Sequence, residues 1–288
     1  SVSAAISRSD LYGNSGLQQT YAAVGVPIGG STYGAVSFNH FTSGEIIRTT
    51  EQFPNGGDPA GGGTVEWVAY SAGIHAARRL TDRLSVGVAG KYISEGATIA
   101  KAKWYAFDVS TLFRTGIYGI TIGASVQNLG AEGKFGGKEL ERSVPTRADV
   151  FPVSRTVPIE LNMESVPLPS IVQFAVNAEL VGGPNAILHS GAKYHSLMLN
   201  GAVVDPTDRA IQPLLGVEYQ FRQVLSLRAG KRFYTPDDGP WSYSYGMAYG
   251  LGLAFPVFQR RFTFDYATFR MSSDDLPMTN TFTLQLGY

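Results

Sequence analysis

In the last ten residues, TNTFTLQLGY, Phe282, Leu284, Leu286 and Tyr288 fall on one side of an extended chain, with Thr281, Thr283, Gln285 and Gly287 on the other. That period of two marks a strand with one apolar face. In YSYGMAYGLGLAF, one face carries Tyr243, Tyr245, Met247, Tyr249, Leu251, Leu253 and Phe255, and the other is nearly bare: Ser244, Gly246, Ala248, Gly250, Gly252 and Ala254. The same rule separates Phe262, Phe264 and Tyr266 from Thr263, Asp265 and Ala267, and Leu215, Val217, Tyr219 and Phe221 from Gly216, Glu218 and Gln220. Upstream, Val172, Phe174, Val176 and Leu180 oppose Gln173, Asn177 and Glu179, while Leu84, Val86, Val88 and Tyr92 oppose Ser85, Ala89 and Lys91.

Extended along the chain, the pattern predicts fourteen strands: about 1 to 9, 17 to 28, 32 to 44, 64 to 79, 84 to 94, 102 to 113, 117 to 127, 169 to 181, 186 to 203, 211 to 221, 224 to 234, 243 to 255, 260 to 271 and 278 to 288. Most are long enough to cross a hydrocarbon layer as tilted strands, which takes roughly 9 to 11 residues. Connections alternate in length. GGS, LTDR, RTGI, GGPN and RQ follow even-numbered strands, with PVFQRR slightly longer; DLYGNSG, the stretch 47 to 63, the stretch 129 to 168, DPTDRA, TPDDGPWS and SSDDLP follow odd-numbered ones. Short periplasmic turns and longer outside loops are the habit of outer-membrane barrels. The fold expected is therefore all-β: one closed antiparallel transmembrane β-barrel spanning 1–288, with both ends periplasmic and the loop 129–168 as a functional insertion.

Composition sharpens this reading. The 288 residues include 34 Gly, 15 Tyr and 16 Phe but only 16% charged residues, and the mean hydropathy is −0.01. Glycine and aromatics favour many strands and tight turns, and no run of 18 apolar residues offers a helical span. A soluble β-sandwich would also alternate, but its loops would be mixed in length. Membrane barrels add aromatic girdles at both interfaces. Tyr243, Tyr245, Phe233, Tyr234, Trp104 and Phe269 are expected at the outer one, and Phe113, Phe221, Phe255, Phe258, Phe262 and Tyr288 at the inner one. Basic and acidic residues number 23 each, and cysteine is absent. The balance gives no reason to expect a nucleic-acid partner, and there is no thiolate chemistry. Ser1 opens on SVSAAISRSD without a secretory signal, as expected of a processed or truncated chain.

AARRLTDRLSVGVAGKYISEG, followed by AFDVSTLFRTGIYGITIGASVQNLG and KFGG, makes the stretch from Tyr70 to Gly137 resemble the PorV/PorQ branch of the FadL-like outer-membrane proteins. The resemblance implies a fourteen-stranded barrel, in agreement with the strand count, in the outer membrane of a Gram-negative bacterium. It implies one of two roles: porin-like transport of hydrophobic or amphiphilic small molecules, or PorV-like binding of secreted cargo and other envelope proteins in protein secretion. The family's N-terminal plug segment, with its Asn-Pro-Ala-Gly motif, has no counterpart here. That implies a more open lumen, or a segment outside the numbered chain.

By parity the inward face carries His75, Lys91, Asp108, Glu179, His189, Lys193, Glu218, Arg228 and Asp265, either as paired charges in a solvated lumen or as a selective ring. The four histidines sit in no nucleophile context, and neither a GxSxG elbow nor an HExxH helix occurs. No enzyme activity is expected, an outer-membrane hydrolase being the weakest reading; no catalytic residue, metal or cofactor is expected either. The long connection carries FPVSRTVPIELNMESVPLP, whose Phe151, Ile159, Leu161 and Met163 need cover, inside the lumen as a gate or against a protein partner. The remaining expected partners are outer-membrane lipid and the barrel-assembly machinery, which would read Phe282, Leu284, Leu286 and Tyr288 at the C-terminal strand. Deleting Phe282 to Tyr288 is expected to abolish membrane insertion, measured as loss of the heat-modifiable, protease-resistant form; normal insertion of that truncation contradicts the signal.

Overall fold

The computed structural model describes residues 2–13, 15–49, 52–57, 63–97, 100–137, 140–145, 156–160, 162–188, 194–233, 245–257, 260–271 and 277–287. Their strands are β1 (Ser3–Asp10), β2 (Gln18–Gly29), β3 (Thr32–Ile47), β4 (Thr64–Arg79), β5 (Leu84–Ala97), β6 (Ala100–Arg114), β7 (Thr121–Gly130), β8 (Gly133–Lys134), β9 (Glu141–Pro145), β10 (Thr156–Glu160), β11 (Ser165–Val166), β12 (Ile171–Val181), β13 (His195–Pro206), β14 (Gln212–Phe221), β15 (Leu225–Arg232), β16 (Tyr245–Val257), β17 (Arg260–Met271) and β18 (Thr279–Gly287). Fourteen of them, all but β8 to β11, close into one barrel in which each strand pairs antiparallel with its neighbours in sequence. β7 meets β12 across the long connection, and β1 meets β18 over Ala4↔Leu286 to Asp10↔Asn280, so the ladder has no free edge.

Closure sorts the side chains. Ile6, Val24, Val36, Ile74, Val88, Phe107, Phe174, Leu215 and Leu251 all point outward and are exposed. Ile74 reaches 73% exposure and Leu215 62%, values that only an apolar surrounding accommodates on a wall this continuous. Most inward positions are small or polar: Ser7 bonds Thr283 across the β1–β18 seam at 2.8 Å, and Gln19 bonds Asn39 at 3.0 Å. Phe282, Leu284 and Leu286 lie outward as the alternation predicts, Phe282 and Leu284 exposed. Tyr288 lies outside the described residues.

Several boundaries differ from the sequence reading. The ninth barrel strand starts at His195, not 186, because Gly182 (φ 102°) breaks the wall and the chain folds back, Ile187 N to Glu179 O at 3.0 Å and Leu188 N to Leu180 O at 2.8 Å. The seventh starts at Thr121, not 117, since left-handed Gly116, Tyr118 and Gly119 wind residues 115–120 into a turn closed by Thr115 N to Ile120 O at 3.0 Å. The turn expected at Arg222 and Gln223 spans 222–224, since the ladder closes on Phe221↔Leu225; Arg222 and Gln223 are both left-handed (φ 51° and 57°), and Val224 N bonds Phe221 O at 3.0 Å.

Two aromatic placements are corrected. Trp104 is not part of an outer girdle but faces inward and is 5% exposed, having Ala102 and Ala106 as its neighbours on the strand's inward face. Phe269 shares the inward face of Asp265 and Ala267, opposite Thr279. Tyr234, Tyr243 and Phe258 lie outside the described residues, as does the side chain of Tyr245. At the short-turn end Phe113, Phe255 and Phe262 are exposed on the outer surface, as expected of a girdle there.

Leu251 stands mid-strand on that outer surface between Leu227 and Tyr266. Leu251→Arg is therefore expected to lower the stability of the reconstituted barrel by about 2 to 4 kcal/mol, the range for a cation at midplane depth. Urea titration in lipid vesicles measures it, and a harmless change would mean that the face is wet.

Candidate functional site

Two ion-paired networks stand out on the inward face of the described residues, each beside small neighbours. Arg228 on β15 reaches over β16 to Asp265 on β17 (Nη1–Oδ1 2.5 Å) and back to Glu218 on β14 (Nε–Oε2 3.2 Å). It crosses β16 where that strand presents Gly250 and Gly252; a Cβ on Gly252 would stand 2.5 Å from Asp265 Oδ1 and 3.2 Å from Arg228 Nη1. The bare face of β16 is thus the bed of an ion pair. Gln285 Nε2 donates to Asp265 at 3.3 Å and Gln220 Nε2 to Glu218 at 2.6 Å, extending the network from β14 to β18.

The second network spans β5 to β7. Lys91 Nζ lies 2.8 Å from Asp108 Oδ1 and donates to Asn128 Oδ1 at 2.5 Å. Asn128 is left-handed (φ 61°) in a bulge between β6 and β7, where it aims its backbone N at Asp108 (2.9 Å) and its Nδ2 at Pro169 O (3.0 Å). Ser170 Oγ returns a bond to Asn128 O at 3.2 Å. One asparagine therefore ties the charge pair to both ends of the long connection. Sequence reasoning singled out GASVQNLG but not this residue; the available signal was an asparagine, a residue that tolerates the left-handed region, just before Leu-Gly.

The other expected inward residues behave differently. His75 hydrogen-bonds Ser37 Oγ at 2.8 Å, over a Gly73 that leaves room for both. Glu179 turns its carboxylate against Gly119 and Gly183 at the short-turn end. His189 and Lys193 lie outside the described residues, as do Phe151 and Leu161 of the long connection. Ile159 and Met163 are exposed. The connection instead touches the wall through β8, Phe135 and Val166: Trp104 Nε1 donates to Val166 O at 2.9 Å, and the Phe135 ring packs on Trp104 (6.3 Å, edge-on) and Trp67 (6.4 Å). Lys101 and Gly136 exchange backbone bonds at 3.0 and 3.1 Å, so this stretch extends the wall beyond the last β6–β7 pair.

Between the networks the lumen wall is hollowed and apolar. Leu112, Gly123, Ala175, Ala202, Leu214 and Gly216 line a recess of about 370 Å³, continuous through Leu112, Gly123 and Ala175 with one of about 400 Å³ beside Ser85, Gly87 and Ser110. Among the described residues no cluster of three His, Cys, Asp or Glu side chains is placed to hold a metal ion.

A closed fourteen-stranded antiparallel barrel with an apolar exterior and a polar interior defines an integral outer-membrane protein. No protein-family model matches the chain, and no curated protein matches it. Among solved structures, the toluene transporter TodX of Pseudomonas putida superposes over 99% of this chain and 86% of its own, at a TM-score of 0.53 and 7% identity. The TodX deltaS2S3 mutant, a monoaromatic hydrocarbon channel, covers 100% and 88% at 0.52 and 8%. A FadL homologue of Pseudomonas aeruginosa covers 100% and 89% at 0.49 and 8%. At such identities the likeness concerns the fold.

Arg228→Leu is expected to leave Glu218 and Asp265 facing each other uncompensated and to make any open-state conductance more cation-selective. The shift appears as a displaced reversal potential in planar bilayers under a salt gradient, and shrinks as salt screens the carboxylates. An unchanged potential would mean that the network does not face the permeation path.

Proposed function

We propose that this barrel is a porin-like channel that passes or binds small hydrophobic or amphiphilic molecules. The observation that carries the reading is the lining: an apolar recess around Leu112, Ala175 and Leu214, flanked by ion-paired charges that leave only one carboxylate in excess, two cations against three carboxylates. Paired charges hold little field for an ion, while small side chains leave space and an apolar contact for a greasy solute. The shared fold with TodX, a toluene transporter, supports the same direction. FadL-like membership, the short turns facing the periplasm and the absence of catalysis belong to this reading. Its PorV-like alternative, a docking scaffold for envelope proteins, has the exposed Ile159 and Met163 of the long connection in its favour but no comparable lining. The connection is the element that sets specificity, held at its base by Asn128 and Trp104.

Ala175→Trp fills the recess without touching either ion network. Cells carrying the wild-type barrel should take up labelled toluene several-fold faster than cells without it, and Ala175→Trp should remove most of that gain while conductance to small ions changes little. Uptake no faster than through a membrane lacking the barrel would overturn the channel reading. Deleting 146–155 within the connection should alter which solutes enter while the barrel still assembles; identical uptake profiles would take the loop out of the account.

A further inference from the structure

The outward face of β6 changes character along its length. From the short-turn end it carries Phe113, Thr111, Val109, Phe107, Tyr105, Lys103 and Lys101, so an apolar stretch gives way to a tyrosine and then to two lysines. The eight steps from Phe113 to Tyr105 rise about 3.3 Å each along a strand tilted by roughly 40°, which is roughly 20 Å of barrel height and close to the ~25 Å apolar band of such walls. Lys103 and Lys101 therefore stand at headgroup level, at the end that bears the long connection.

The neighbouring strands complete the level. Tyr105, Tyr92, Tyr70 and Phe38 lie side by side across β6, β5, β4 and β3, with ring centroids 5.4, 6.0 and 6.4 Å apart. Ser94 stands between Tyr70 and Lys103 in the register and, although it points outward, is only 2% exposed because these side chains close over it. The Tyr70 ring packs against Tyr92 at 6.0 Å, Tyr70 pairs with Ser94 across β4 and β5, and Ser94 with Lys103 across β5 and β6. Hydroxyls and ammonium groups turned toward lipid are costly unless the lipid itself offers an anionic partner.

We propose that Lys101, Lys103, Tyr70 and Tyr92 form a seat for the phosphate of an outer-leaflet glycolipid, whose acyl chains lie down the wall over Tyr105, Phe107 and Val109. The ammonium groups supply charge, the hydroxyls donate to phosphate oxygens, and the tyrosine ladder gives the sugar and upper chain a flat surface. The choice of leaflet rests on the orientation given with the channel reading; the phosphate chemistry does not.

The test is native mass spectrometry of the folded barrel in an uncharged detergent, titrated with bis-phosphorylated lipid A, with its fully dephosphorylated form, with phosphatidylglycerol and with inorganic phosphate. One bis-phosphorylated lipid A should be retained, more tightly than phosphatidylglycerol, while the dephosphorylated lipid and free phosphate are lost. The K101Q/K103Q double variant should weaken that binding by roughly 10- to 30-fold, as expected for two juxtamembrane cations, and blunt its salt dependence. Lys231→Gln, an outward lysine on β15, should leave it unchanged, and heat-modifiable mobility confirms that each variant is folded. Equal retention by K101Q/K103Q, or equal binding of the dephosphorylated lipid, would overturn the seat. Phosphatidylglycerol binding as tightly as lipid A would overturn the glycolipid as its occupant. Protease cleavage of the long connection from the periplasmic side alone would place the seat in the inner leaflet and overturn the outer-leaflet glycolipid as its occupant.

Discussion

The constraint on which the rest depends is that hydrocarbon offers nothing to a backbone N–H or C=O. A wall made of strands survives there only if the ladder returns to its start, and here the return is the seam between β1 and β18, seven paired residues deep from Ala4↔Leu286 to Asp10↔Asn280. Once the ladder is closed, each strand has one face in lipid and one in the lumen, and the alternation of the sequence becomes a division of solvents. Ile74 and Leu215 can be left bare only on the first face, and Arg228, Asp265, Lys91 and Asp108 are affordable only on the second.

That division explains why so many inward positions are glycine, alanine or serine. A fourteen-stranded ring has an interior too wide to be filled by ordinary side chains and narrow enough that long ones meet across neighbouring strands. Gly250 and Gly252 let Arg228 lie across β16, and Gly73 lets His75 reach Ser37. The charges are thereby tied to the wall rather than left projecting into the path, and the space between them stays apolar around Ala175 and Ala202. Selectivity by a ring of charge and passage of a greasy solute are competing uses of the same surface. The pairing of these charges weakens the first use, which is why it supports the channel reading proposed above.

The long connection between β7 and β12 joins this wall at its upper edge. Its base continues the barrel by strand pairing with β6 at Lys101 and Gly136, and covers Trp104, while Asn128 clamps its two ends to the Lys91–Asp108 pair. Any movement of the connection is thus coupled to a charge pair in the lumen by two hydrogen bonds of one side chain. Its second hairpin, β9–β10, pairs with itself rather than with the wall.

The sequence by itself determined the class, the strand count and the faces, because lipid on one side and water on the other impose a period of two that β16, β17 and β18 display without ambiguity. It also located the inward charges, since Lys91, Asp108, Glu218, Arg228 and Asp265 occupy the polar parity of their strands. It did not determine which charges meet. Arg228 and Asp265 are 37 residues apart, and their contact depends on register and on two intervening glycines on a third strand. Nor did it place Trp104, whose burial needs Phe135 and Val166 brought from 31 and 62 residues away. The start of β13 differs for a related reason: Ala186, Ile187 and Leu188 are apolar enough to read as strand, but the positive-φ Gly182 and the bonds from Ile187 and Leu188 back to β12 take them out of the wall. Periodicity reports the solvent on each face of a strand, whereas contacts between strands and the ends of strands are set by closure of the whole ring.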